Sequence, residues 1–201
     1  MTGVLALVFA YLLGGIPFGY LLVKWSSGRD VRAGGSGNIG ATNVLRTAGR
    51  TAGVATLILD IGKGYLAVWI AGRLTQGSPL WMSLAALTVM AGHAFPAVLG
   101  FKGGKAVASC VGAFLCLTPL PLAAVAVVFV TIVAATRMIS LGSIISAGSL
   151  PLAVWLISHP PLPVVLAALG AGVFVIWRHN ENIQRLRAGT EHVFSLGNRR
   201  G

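Results

Sequence analysis

One stretch of the chain concentrates glycines, amides and hydroxyls ahead of an arginine: Gly34-Gly35-Ser36-Gly37-Asn38-Ile39-Gly40-Ala41-Thr42-Asn43-Val44-Leu45-Arg46. Glycines let backbone N–H groups converge on an anion, and a helix starting near Ala41 adds its positive end. Ser36, Asn38, Thr42 and Asn43 supply further donors, and Arg46 a bidentate fork for phosphate. Gly35, Gly37 and Gly40 satisfy G-x-G-x-x-G in form. No strand precedes them and no strand–helix–strand unit fits here, so a dinucleotide site is excluded. The plain alternative is a flexible linker, which has no need of Asn, Thr and Arg packed among its glycines.

A second stretch reads Gly92-His93-Ala94-Phe95-Pro96, then Gly100-Phe101-Lys102-Gly103-Gly104-Lys105. It is not a P-loop, because the glycine spacing is absent and Ala106 stands where a magnesium-binding hydroxyl is needed. Gly103, Gly104 and Lys105 still suit a phosphate at the start of the next helix. Lys102 reads equally as a flanking anchor, and His93 equally as a packing histidine or a site residue. Arg137-Met138-Ile139-Ser140-Leu141-Gly142-Ser143 adds one cation and two hydroxyls. Near the carboxyl terminus His179, Asn182 and Arg185 recur at i, i+3 and i+6, which puts them near one helix face. Glu181 and Arg185, four apart, read as a surface pair. Asp60 and Lys63 are the one pair of charges inside an apolar segment and read as a neutralised structural pair.

Several chemistries have no residues to carry them. Four His and two Cys show no metal-ligand spacing, and no cofactor is implied. Neither G-x-S-x-G nor a His followed five residues later by Asp occurs, so the serine-hydrolase elbow and the His/Asp box of many glycerolipid acyltransferases are missing. Cys110 and Cys116 turn to different faces of a helix and read as packing residues.

The elements that position these residues are membrane helices. Of 201 residues 56% are hydrophobic and 9% charged, against roughly 25% charged in a soluble domain. The net charge of +11 points to phosphates and lipid headgroups. Nucleic acid is excluded, because the cations lie between apolar runs too long for a soluble reader. Those runs cover approximately residues 3–23, 53–72, 80–100, 106–136, 141–157 and 162–177. No Lys or Arg precedes Lys24, so the first run reads as a retained helix rather than a secretory signal. The fourth run is long for one crossing and short for two. Two crossings keep Lys24, Arg29, Arg32, Arg46, Arg50, Lys102, Lys105, Arg137, Arg178, Arg185, Arg187, Arg199 and Arg200 on one side, as the positive-inside bias requires. Thr118-Pro119-Leu120-Pro121 supplies the break. The expectation is an all-α, seven-transmembrane-helix bundle over 1–201, a single polytopic domain in the lipid bilayer with the amino terminus out and the carboxyl terminus in. Pairs such as Gly14/Gly15 and Gly142/Gly148 read as helix packing.

Taken in order, Ser36-Gly37-Asn38-Ile39-Gly40-Ala41-Thr42-Asn43-Val44 with Arg46, Asp60-x-x-Lys63-Gly64, Gly92-His93-x-Phe95-Pro96, Phe101-x-Gly103-Gly104-Lys105, Ser140-Leu141-Gly142-Ser143 and His179-x-x-Asn182-Ile183-x-Arg185-Leu186-x-x-Gly189-x-Glu191 resemble the bacterial acyl-phosphate:glycerol-3-phosphate acyltransferases. The resemblance covers nearly the whole chain. It implies a seven-helix inner-membrane bundle with a cytoplasmic site that moves an acyl group from acyl phosphate to the primary hydroxyl of glycerol 3-phosphate, giving lysophosphatidic acid and phosphate. Ser36, Arg46, Lys105, His179 and Asn182 match that family's essential positions.

Acyl phosphate is a mixed anhydride with a stable anionic leaving group, so neither a covalent nucleophile nor a strong acid is obligatory. What remains is to orient two mutually repelling anions and stabilise an oxyanion. On this reading Arg46 and Lys105 hold glycerol 3-phosphate, while Gly37, Asn38, Ile39, Gly40, Ala41, Thr42 and Ser143 hold the acyl phosphate. Ser36, His179 and Asn182 orient the hydroxyl. Asn43, Asp60, Lys63, His93, Gly103, Gly104, Ser140 and Arg185 support them. The proton goes to His179 or to a substrate phosphate oxygen. An anion transporter is the competing class, but transporters hold their sites near the midplane, where only Asp60 and Lys63 lie. The sequence leaves the oligomeric state open, a monomer included.

Overall fold

The computed structural model describes residues 1–194, and no strand occurs among them. The helices are α1 Thr2–Gly14, α2 Phe18–Ser27, α3 Ala41–Ala48, α4 Arg50–Leu74, α5 Pro79–Ala94, α6 Val107–Leu117, α7 Pro119–Thr136, α8 Ile139–Ser158, α9 Leu162–Arg178 and α10 Asn180–Arg187. Arg199 and Arg200, assigned above to the inner side, lie outside the described residues.

Proline sets several boundaries. Pro17 keeps its predecessor out of the helical region and separates α1 from α2. Pro79 and Pro119 open α5 and α7, where a missing N–H costs nothing. The break anticipated at Thr118 is present, with that residue at φ −147° and ψ 73°, outside the helical region, between α6 and α7. Among the described residues, five helical segments are long and apolar enough to cross a membrane: Thr2–Ser27, Arg50–Leu74, Pro79–Leu99, Pro119–Thr136 and Ile139–Ser158. A sixth appears if α9 and α10, bent by 58° at His179, are taken together. The eleven residues of α6 rise only about 16 Å, half of a hydrocarbon core of about 30 Å.

The bundle is built inside out relative to a soluble protein. Its centre holds small side chains, among them Ala6, Ala10, Ala67, Ala71, Ala85, Ala86, Ala113 and Ala171, while Phe9, Ile58, Trp69, Val127, Leu152 and Trp155 face outward. Water would penalise such a surface by about 1.5–3 kcal/mol per large side chain, and lipid does not. Helix α4 is the hub, packing on α1, α2, α3, α5 and α6. Its contact with α6 is backbone to backbone: a methyl group added at Gly64 would lie 2.2 Å from the Ser109 carbonyl oxygen, and one at Gly112 would lie 1.9 Å from that of Ile61.

A charged knot sits within this packing. Lys63 Nζ lies 2.9 Å from Asp60 Oδ1 and donates at 2.8 Å to the Ile16 carbonyl, which the α1/α2 break deprives of a helical partner. His93 Nδ1 stands 3.0 Å from Ser109 Oγ and 3.7 Å from Asp60 Oδ1. The pair anticipated as structural therefore ties α4 to the first break and to α5. Cys110 and Cys116 are both free thiols.

Candidate active site

The glycine-rich stretch is shaped by one side chain. Asn43, buried in the first turn of α3, accepts from the Ser36 amide at 2.9 Å through Oδ1. Its Nδ2 donates to the carbonyls of Val31, Gly34 and Asn38 at 3.1, 3.2 and 2.8 Å. The sequence reading counted Asn43 among the donors for an anion; its amide is instead committed to the loop itself. Gly35, at φ +60°, passes so close that a methyl group there would sit 2.2 Å from Asn43 Oδ1. Ile39 anchors the same loop in a small apolar cluster with Val23, Val31 and Val44.

The loop amides divide into two sets. Those of Gly37 and Gly40 turn inward, to the Gly34 carbonyl at 3.1 Å and to Asn38 Oδ1 at 2.8 Å. Among the described residues the amides of Asn38, Ile39, Ala41 and Thr42, and the Ser36 hydroxyl, have no protein acceptor. They gather at the amino end of α3, where the helix dipole favours negative charge. One turn on, Arg46 donates through Nε to the Thr42 carbonyl at 3.2 Å and remains exposed.

The second half of the site joins residues far apart in sequence. Lys105 Nζ donates to Asn182 Oδ1, Asn182 Nδ2 donates to Glu191 Oε1 at 3.0 Å, and Arg185 Nε donates to Glu191 Oε2 at 3.1 Å. The neighbours fix the amide's orientation, because an ammonium only donates and a carboxylate only accepts. Glu191 ends the motif that begins at His179, but its spacing does not mark it as a site residue. The signal was its rarity: four acidic residues in 201, and this one with a side chain only 4% exposed. The reading of Glu181 with Arg185 as a pair is corrected, since Arg185 closes on Glu191 instead. A buried carboxylate attracts the guanidinium more strongly than a solvated one on the same helix.

Electrostatics couple the two halves. Burial pushes the Lys105 ammonium down to about 8, with Arg185 and Arg46 repelling it and Glu191 and Glu181 supporting it. Arg46, exposed but partly desolvated by its neighbours, is lowered too, with Arg185 adding to the effect and Glu191 opposing it. Burial raises the Glu191 carboxyl, but hydrogen bonds from Asn182 and Arg185 outweigh it and the net direction is down. Lys105, Arg46 and Arg185 thus share Glu191, with Glu181 acting on Lys105 as well, leaving an excess positive charge that an anionic ligand relieves. His179 sits between α9 and α10 with Nδ1 2.7 Å from the Val175 carbonyl, so Nδ1 carries the hydrogen and Nε2 keeps its lone pair. Burial and then the Lys105 cation push its pKa down to about 4, so the ring is neutral at pH 7.

Arg178 has no counterpart among the expected site residues. It donates to the Gly104 carbonyl at 3.0 and 3.2 Å and to that of Gly103 at 3.4 Å, with its guanidinium 5.2 Å from the Phe95 ring and 5.7 Å from that of Trp177. Behind the same segment lies His93, whose Nε2 a methyl group at Gly104 would approach to 2.1 Å. Ser140 and Ser143 lie at the start of α8, where the Ser143 hydroxyl donates to the Ile139 carbonyl at 2.9 Å and the buried Ser140 hydroxyl has no partner among the described residues. A hydrogen bond of 2.6 Å from the Phe194 amide to the Arg137 carbonyl ties this corner to the chain just after Glu191.

With this geometry in view, the model of one family, glycerol-3-phosphate acyltransferase, matches residues 4–189. The chain belongs to the glycerol-3-phosphate acyltransferase family. It is 50% identical over 185 residues to the glycerol-3-phosphate acyltransferase of Geobacter sulfurreducens, covering 92% of this chain and 94% of that one. It is 44% identical over 200 residues to that of Desulforamulus reducens, covering 100% and 98%. The acyltransferase superposes on the glycerol 3-phosphate form of PlsY, an integral membrane glycerol 3-phosphate acyltransferase, with a TM-score of 0.92 at 36% identity over 97% of this chain and 96% of that one. With the lysophosphatidic acid form of PlsY the TM-score is 0.88 at 35% identity, with the same coverage. The protein is a membrane glycerol-3-phosphate acyltransferase, and the transport reading finds no support in these relationships.

Proposed function

We propose that the acyltransferase takes its acyl group from an acyl phosphate and delivers it to the 1-hydroxyl of glycerol 3-phosphate, releasing lysophosphatidic acid and inorganic phosphate. The observation that carries this reading is the pairing of a neutral donor loop with a cationic wall. The free amides of Asn38, Ile39, Ala41 and Thr42 suit the phosphate of the acyl donor, and Lys105 and Arg46 suit that of glycerol 3-phosphate. A neutral cradle lets the departing phosphate gain charge without trapping it, whereas point cations hold an anion that keeps its charge throughout. Ser143 joins the donor side by turning its hydroxyl hydrogen from the Ile139 carbonyl to the phosphate.

The reaction needs no enzyme nucleophile. The hydroxyl oxygen bonds to the acyl carbon, the bond from that carbon to the phosphate oxygen breaks, and the hydroxyl proton passes to a phosphate oxygen. His179 Nε2 accepts a hydrogen bond from the hydroxyl and aims it, but with a pKa of about 4 it is too weak a base to keep the proton. Ser36 aims the hydroxyl from the loop side. Asn182, with Oδ1 on Lys105 and Nδ2 on Glu191, acts by holding the ammonium in place. The acyl chain lies in the apolar groove of about 340 Å³ lined by Leu12, Ile16, Pro17, Leu21, Val98 and Leu99. One wall of that groove is α2, which packs on Ile39, and another is the turn at Ala97–Leu99.

The same proposal places one polytopic domain over 1–201 in the inner membrane, with seven crossings, the amino terminus out and the site at the cytoplasmic face. The one-sided cations support it, and so does the break at Thr118, which makes α6 a short crossing. Two experiments test the reading. Purified protein in detergent should form lysophosphatidic acid from acyl phosphate and glycerol 3-phosphate but not from acyl-CoA; equal rates with both donors would remove the donor assignment. In intact cells, cysteines at Gln76 and His159 should react with an impermeant thiol reagent and one at Arg187 should not.

A further inference from the structure

Lys105 hangs from a backbone that is strained and gripped. The next residue, Ala106, adopts φ +59° and ψ 13°, a left-handed conformation that a residue with a side chain holds only when its surroundings over-determine it. Two groups do so here. On one side lies His93, packed under Gly104 and accepting the Gly104 amide through its own carbonyl at 3.1 Å. On the other, Arg178 donates to the carbonyls of both Gly103 and Gly104. The His93 ring is itself fixed by Ser109, so the segment cannot retreat from the guanidinium.

We propose that Arg178 is a positioning residue for the acyl transfer: by clamping the Gly103 and Gly104 carbonyls between itself and His93, it fixes Lys105 in register with the adjoining His179. Three observations make it a clamp rather than a surface cation. Its fork, Nε with Nη2, closes on the Gly104 carbonyl while Nη2 also reaches that of Gly103, a planar two-nitrogen grip that an ammonium lacks. Its plane is held by Phe95 and Trp177, whose rings lie 6.1 Å apart, so the guanidinium is pre-oriented before it meets the loop. And it immediately precedes His179, so the loop bearing the phosphate-holding ammonium is tied to the chain position that aims the hydroxyl. The Gly104 carbonyl and the Lys105 N–H belong to one trans peptide and point in opposite directions. Taking the oxygen therefore turns that N–H away from Arg178 and strengthens it as a donor.

The inference rests on Lys105 holding the phosphate of glycerol 3-phosphate, and the test separates the two. R178Q, R178K and K105A are purified in detergent, checked for helicity and melting temperature, and assayed over a matrix of both substrates with acyl phosphate as donor. R178Q should raise the KM for glycerol 3-phosphate tenfold or more while the acyl phosphate KM stays within twofold and kcat within threefold. R178K, which keeps the charge but not the planar fork, should fall between R178Q and wild type, and it serves alone if R178Q does not fold. A merely structural arginine would lower the melting temperature with both KM values unchanged or raised together, and either result overturns the proposal. If K105A leaves the glycerol 3-phosphate KM unchanged, the assignment of Lys105 fails and the clamp fails with it. If K105A raises it and neither arginine variant does, the clamp alone is wrong.

Discussion

The donor loop and the cationic wall face the same reaction but are held together in opposite ways. In the loop, Asn43 reaches partners 5 to 12 residues away, and every bond is between neutral groups. In the wall, Lys105 and Asn182 are 77 residues apart, and Arg178 and Gly104 are 74 apart. The wall's bonds are charge-assisted and its neighbours shift one another's proton affinity. Local neutral bonding gives a cradle whose shape is all or nothing. Long-range charged bonding gives an anion site whose strength is graded and tunable by single charges.

The comparison breaks most sharply at Asn43. Replacing it with alanine removes four hydrogen bonds, each contributing about 0.5–1.5 kcal/mol, and leaves the Val31 and Asn38 carbonyls without a donor among the described residues, while that of Gly34 keeps the Gly37 amide. N43A should lose activity by roughly a hundredfold or more while the apolar bundle keeps its helicity by circular dichroism, because the loop's small apolar cluster is separate from the main core of the bundle. Retention of more than a tenth of wild-type turnover would mean that the loop is held by something other than Asn43.

The wall should answer in smaller, separable steps. R46A and K105A should each raise the glycerol 3-phosphate KM, at about 1.5–3 kcal/mol per lost charged hydrogen bond, which is roughly 10- to 150-fold. R46K should recover only part of the loss, since an ammonium lacks the bidentate fork. H179A should instead lower kcat, because its contact with the attacking hydroxyl strengthens as the bond forms. Initial rates across both substrate concentrations decide between these patterns; a pure kcat loss in R46A would reassign Arg46 to the oxyanion.

A further step sharpens the wall by pH. Lys105 binds phosphate as the ammonium, and burial with repulsion from Arg185 and Arg46 brings its pKa to about 8. The charged form therefore predominates below that pH and is lost above it, so kcat/KM for glycerol 3-phosphate should be flat below about pH 7 and fall up to tenfold per unit above about pH 8. In K105R the guanidinium stays charged and the alkaline limb should move beyond pH 10. An unmoved limb in that variant would assign the titration to another group.

The same contrast explains what the sequence disclosed. Ser36 to Arg46 are contiguous, so their residue types already described a phosphate-binding turn. Which amides face outward did not show, because that depends on Asn43 folding back on Val31 and Gly34. The break at Thr118 was legible from proline chemistry, whereas the shortness of α6 as a crossing depends on where the Gly103–Lys105 segment leaves the bundle. His179, Asn182 and Arg185 were placed on one face by helical spacing. Glu191 and Arg178 were passed over because their partners, Asn182 with Arg185 and Gly103 with Gly104, meet them only through tertiary contact or the turn after α10.

The smallest expected effect is the most diagnostic for the loop, because it separates backbone shape from mere room. Gly37 lies at φ +68°, where a side chain costs about 1–2 kcal/mol, yet the space is open, the nearest atom to an added methyl group being the Arg32 carbonyl oxygen at 3.5 Å. Gly40 is the reverse case: its φ of −75° suits any residue, but a methyl group would stand 3.1 Å from Asn38 Oδ1, which must yield by a few tenths of an ångström. If the loop acts through its backbone shape, G37A should cost roughly 5- to 30-fold in kcat/KM, the conversion of that strain energy. G40A should then stay within about threefold, since an asparagine side chain adjusts more cheaply than a dihedral. Both variants are assayed with acyl phosphate as the varied substrate. A larger loss in G40A than in G37A would show that contact at the ligand face, rather than the left-handed turn at Gly37, is what the donor site requires.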